Sequence, residues 1–185
     1  MKILLTVLLT LLGLIVLSII FIYSGVYNVS AINQDTGITK WVLETTSDNS
    51  VEHHADDIKI PNLDDPSKIE MGLSHYKEMC ESCHRGPGTE ETELAKGLNP
   101  PAPNLVKHGK NMDPKELFWI TKNGIKMTGM PAWGRTHSDD KIWAIVAAVK
   151  KLYSISPEKY NSVQSEEQEE SEEHSDNDKP VLRYH

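Results

Sequence analysis

Cys80, Glu81, Ser82, Cys83 and His84 place two thiols three positions apart, with an imidazole directly after the second. Three chemistries use such a pair. A structural zinc site needs about four ligands, usually a second Cys-x-x-Cys pair or a distant His pair, whereas this chain has 2 cysteines in all. A thioredoxin-like redox pair sits at a strand-to-helix turn in a βαβ frame; here the stretch before Cys80 reads as helix, and no parallel-strand pattern follows. The remaining chemistry uses all three side chains. Cys-x-x-Cys-His is the attachment signature of a c-type haem, in which both thiols become thioethers to the porphyrin. The expected cofactor is one covalent haem c, held through Cys80 and Cys83, with His84 offered to the iron from one face.

The N-terminus constrains the compartment. From Ile3 to Tyr23 there are 21 residues without a charge, rich in Leu and Ile, and at about 1.5 Å per residue the run spans roughly 30 Å, the thickness of a bilayer core. A cleaved signal peptide has a shorter apolar region of about 7 to 15 residues, and the one small-residue site, Val29-Ser30-Ala31, lies well beyond the run. Length therefore favours an uncleaved transmembrane anchor over residues 1–23. Lys2 is the only basic residue before the span and none follows until Lys40, a bias that puts the N-terminus in the cytoplasm and the rest on the periplasmic or extracytoplasmic side.

Charge is concentrated at the other end. The formal net charge is −8, yet the 8 acids between Ser165 and Asp178 account for all of it, leaving 19 acids against 19 bases elsewhere. A neutral body gives no nucleic-acid surface. Residues 157–185, acidic and poor in apolar side chains, read as a disordered tail, whose functional use would be to steer a basic partner.

Between the termini, residues 24–64 show no sustained period and read as an extracytoplasmic tether, with His53 and His54 expected to be exposed and Trp41, Val42 and Leu43 without an assigned contact. The globular part is expected over residues 65–156. Asp65 before Pro66 is an N-cap with proline at the first helical position, and Ile69, Gly72, Leu73 and Tyr76 keep helical spacing toward Cys80. Arg85-Gly86-Pro87-Gly88 stops that helix. Pro100, Pro101 and Pro103 make a rigid, extended loop. A second helix starts at Asp113-Pro114-Lys115-Glu116, continues through Leu117, Ile120 and Thr121, and ends at Asn123-Gly124. A loop bearing Met127 and Met130 follows. The last helix starts at the N-cap Ser138, with Asp139 and Asp140 at the positive end of its dipole, and runs to about Tyr153, with Ile142, Ile145, Val146, Val149 and Leu152 as its apolar stripe.

The second axial ligand decides the function. A sulfur ligand opposite histidine gives an electron-transferring site of raised potential, whereas an open position permits gas or peroxide chemistry. The candidates are Met130 and Met127, then Met112 and several histidines. Met130 precedes Pro131 in a loop far enough along the chain from His84 to cross to the opposite haem face.

Over about residues 66–153 the sequence resembles the class I c-type cytochromes. The resemblance is carried by the Gly72/Tyr76 helix leading into Cys80-Glu81-Ser82-Cys83-His84, the Pro103-Asn104-Leu105 loop, the Gly129-Met130-Pro131-Ala132-Trp133 loop, and the final helix around Ile142-Trp143-Ala144-Ile145-Val146. It implies an all-α fold of three to four helices around the covalent haem, preceded here by the single apolar helix. It also implies that Met130 supplies the sulfur ligand and that the carbonyl of Pro103 accepts the Nδ1 hydrogen of His84. Leu105 then joins the cofactor-binding set, and Gly72 lets the first and last domain helices cross closely against Tyr76 and Trp143. Trp119 and Trp133 read as haem-pocket packing.

These features predict a membrane-anchored, single-haem electron carrier serving redox protein partners, with no catalytic protein residue. Alternatives are the cytochrome subunit of a dehydrogenase or terminal oxidase complex, and a haem sensor or peroxidase-like enzyme with a displaceable Met ligand. The Gly129-Met130-Pro131 loop argues against the last.

Overall fold

The computed structural model describes residues 1–33 and 36–163, and among them every regular element is helical. The chain divides near residue 35 into two compact units.

The first unit is α1, Lys2–Ser24, closed by Gly25 in the left-handed conformation at φ 66°, where glycine carries no Cβ penalty. The helix is long and apolar enough to cross a membrane. Its threonine and serine hydroxyls within the apolar run are satisfied inside the helix: Thr6 donates to the Lys2 carbonyl at 3.0 Å, Thr10 to the Thr6 carbonyl at 2.9 Å and Ser18 to the Leu14 carbonyl at 2.9 Å. In hydrocarbon a polar group without such a partner is costly.

The second unit opens with α2, Gly37–Ala55, inside the stretch expected to be a tether. No proline or glycine interrupts residues 38–55, so the segment can be helical, but it buries only Val51 and Ala55 and packs mainly on one neighbour. Two contact residues make too narrow a stripe to register as a period. Ile38, Trp41 and Leu43 are exposed. Next come α3, Pro66–Met79, and α4, Glu81–His84, joined through Cys80. Asp65 caps α3 as its composition predicts, accepting the Ser67 amide at 3.0 Å, and the Ser67 hydrogen bonds hold its carboxyl below the ordinary value. Two short turns, α5 (Glu93–Lys96) and α6 (Leu105–His108), flank the proline-rich loop. Then α7, Pro114–Asn123, receives α2, and α8, Asp139–Lys151, forms the centre.

The sequence stripe of α8 understates its burial, because Trp143, Ala144, Ala147 and Ala148 are buried together with Ile142, Ile145, Val146 and Val149. Small alanines let neighbours approach on more than one side. The closest approach is to α3, where a Cβ placed on Gly72 would stand 1.9 Å from the Ala144 carbonyl oxygen. Tyr76, Leu105, Leu117, Phe118 and Leu152 complete the core, with the Phe118 and Trp143 rings stacked at 4.2 Å.

The folded unit also runs past the expected boundary at residue 156. Ser156 caps a short helix α9, Pro157–Asn161, by accepting the Lys159 amide, and its Tyr160 is fully buried. The acidic run 165–178 lies outside the described residues.

Candidate functional site

The attachment motif is built by running α3 almost directly into α4. The Cys80 amide still donates to the Tyr76 carbonyl at 2.9 Å, and the Cys83 and His84 amides then donate to the Cys80 carbonyl at 3.1 and 2.8 Å. Cys80, Cys83 and His84 thus share little more than one helical turn. Arg85 ends it at φ 64°, its carbonyl receives the Tyr76 hydroxyl at 2.5 Å, and its guanidinium pairs with Glu91 at 2.8 Å. Thr92 ties α5 to the motif by donating to the Ser82 carbonyl.

Cys80 is buried and Cys83 half-buried. Burial, followed by the neighbouring Cys83, pushes the Cys80 thiol up to about 12. His84 Nδ1 lies 2.9 Å from the Pro103 carbonyl oxygen. A carbonyl only accepts, so Nδ1 carries the hydrogen and Nε2 keeps its lone pair for a metal. Burial lowers the His84 pKa against the opposing Pro103 hydrogen bond, which favours the neutral, ligating imidazole at pH 7. Two thiols on one turn and a histidine fixed in the ligating tautomer fit a covalently held haem.

The structure places the other candidates differently from one another. Leu105 is in the core, behind an α6 capped by Asn104, whose side chain accepts the Lys107 amide at 3.2 Å. Met130 is half-buried in a loop closed on itself: the Ile125 amide donates to the Met130 carbonyl at 3.3 Å, and the Met130 amide to the Thr128 hydroxyl at 3.1 Å. That loop abuts the proline-rich segment, since a Cβ on Gly129 would meet Leu98 at 2.7 Å. Met127 stands 96 % exposed, and Met112 packs against the core.

Trp119 meets the His54 ring of α2 at 5.5 Å, and Trp133 meets His137 edge-on at 5.6 Å. His53 and His54 are both exposed.

Sequence reasoning missed one neighbour of the motif. The Tyr160 hydroxyl donates to Glu81 Oε2 at 3.1 Å, bringing α9 onto the attachment segment. The signal was present: Ser156-Pro157 repeats the cap-then-proline pattern that opens α3 and α7.

Residues 67–147 match the family model described as cytochrome c oxidase, cbb3-type, subunit III. No curated protein matches this chain.

Proposed function

Residues 67–147 form a class I c-type cytochrome domain, and on that premise we propose that the chain is a membrane-anchored, single-haem electron carrier. In this reading α1 is an uncleaved single-pass anchor, and the domain works on the outer side of the cytoplasmic membrane. The observation that carries it is the His84–Pro103 hydrogen bond, which leaves Nε2 as the ligating nitrogen directly after the two thiols. When bound, haem c supplies reversible one-electron chemistry.

The chain's own residues do the rest. Cys80 and Cys83 would hold the porphyrin covalently, and His84, oriented by Pro103, would ligate the iron through Nε2. Met130 would supply a sulfur ligand, a pairing with histidine that gives an electron-transferring site of raised potential. The clamp of the Met130 carbonyl onto Ile125, beside the turn at Gly124, supports Met130 over the exposed Met127.

A second reading makes the chain the cytochrome subunit of a terminal oxidase, and the description of the matching family favours it. Purification in mild detergent distinguishes the two, because a subunit brings a large redox partner with it. The acidic run after Ser165 steers a basic partner in either case, and its deletion is expected to flatten the salt dependence of electron transfer.

The primary experiment is the optical spectrum of the oxidised full-length protein. A weak red charge-transfer band of sulfur-ligated ferric haem is expected, lost in Met130→Ala and kept in Met127→Ala. A high-spin spectrum in the wild type would favour the sensor or peroxidase chemistry instead, and a bis-histidine spectrum would require a new axial assignment.

A further inference from the structure

The C-terminal segment around α9 lies beyond the matched domain, yet it grips the haem-attachment segment on both sides. Lys77, one turn before Cys80, donates to the carbonyls of Asn161 at 3.1 Å and Val163 at 2.8 Å. After His84, the Tyr160 ring covers Gly86 so closely that a Cβ there would stand 2.5 Å from a ring carbon, and Pro157 covers Gly88, where a Cβ would stand 2.7 Å from its own. Between these contacts the Tyr160 hydroxyl meets the Glu81 carboxylate at 3.1 Å.

Tyr160 is fully buried, and burial raises its pKa well above the ordinary value. The hydroxyl therefore stays a donor. A carboxylate only accepts, so the bond has one polarity: a phenolic hydrogen facing the anionic oxygen of a residue between the two haem-bearing cysteines.

We propose that Tyr160 is a positioning residue for the attached haem: its hydroxyl fixes the Glu81 carboxylate within the attachment segment, and the reduction potential depends on that bond. The inference rests on the haem reading above. A carboxylate carried on the attachment segment would stabilise the more positive oxidised state of a haem held there. The tyrosine hydrogen offsets part of that negative charge.

The test is spectroelectrochemistry of the full-length haem protein in detergent. Tyr160→Phe keeps the ring over Gly86 and removes only the hydroxyl; its potential is expected to fall. Glu81→Ala is expected to raise the potential, and the double variant to match Glu81→Ala alone, because the hydroxyl acts only through the carboxylate. Glu81→Gln preserves an acceptor without the charge, disturbs packing least, and must also raise the potential. A Tyr160→Phe potential equal to wild type, an additive double variant, or an unmoved Glu81→Gln potential overturns the proposal. A wild-type chain with no reduced-haem spectrum overturns the haem reading, and this inference with it.

Discussion

Gly124 stands where α7 must stop and the Met130 loop must begin. Its φ is +67°, and a Cβ there would lie 2.8 Å from both the Met130 carbonyl oxygen and the Pro131 carbonyl carbon. With ψ at −177° the backbone lies in a region almost reserved for glycine, so Gly124→Ala is expected to lose about 1–3 kcal/mol from backbone strain alone, read in urea unfolding, and to weaken the sulfur charge-transfer band as the loop is pushed away. This glycine was legible in the sequence, since Asn-Gly after an apolar helical run is a stop signal. The exposure of Met127 was not, because a loop has no period to show which side chain turns inward. Nor does a carbonyl acceptor such as that of Pro103 leave a mark of its own in a sequence; its role came from resemblance, and the hydrogen bond to His84 is a structural observation.

Between elements, the α3–α8 crossing tolerates no side chain at Gly72. The obstruction at 1.9 Å is the Ala144 backbone oxygen, which cannot rotate away, so Gly72→Ala should cost at least the roughly 1–3 kcal/mol of an overpacked core and lower the melting temperature. The α2–α7 contact has a different weakness. Partial burial, then Asp113, Glu52 and Asp48, raise the Glu116 pKa above its ordinary 4.5. The folded chain then binds the proton more tightly than the unfolded one, so this group's contribution worsens as pH rises from 4.5 through the raised value. Glu116→Gln is expected to raise the urea midpoint at pH 7 and to leave it unchanged at pH 4. The starts of α3 and α7, each opened by Asp and proline, were readable to within a residue, whereas the same pattern at Ser156-Pro157 went unread. The contacts of α2, held by Val51, Ala55 and the Lys115 bond to the Asp56 carbonyl at 2.6 Å, were not, because such sparse docking depends on partners distant in sequence.

For the molecule as a whole, the domain is small and its chain has 2 phenylalanines. Small domains bury a lower fraction of their surface and are marginal, and on the haem reading a covalent porphyrin would supply the missing interior. A Cys80→Ala, Cys83→Ala double variant is expected to lose cooperative melting when followed by tryptophan fluorescence, a probe that Trp143 in the core makes sensitive to the domain. Retention of a sharp transition would show that the protein side chains suffice. The class of fold was legible because one motif dictates a cofactor and the cofactor dictates a core. The extent of the folded unit was not, because Tyr160 and Val163 are sparse anchors in a polar stretch, too few to set up a period.

The burial of Cys80 has a consequence for the bond it would carry. In the closed fold the residue is 7 % exposed, so a thioether formed there would be shielded from solvent and from reagents by the same side chains that make the core.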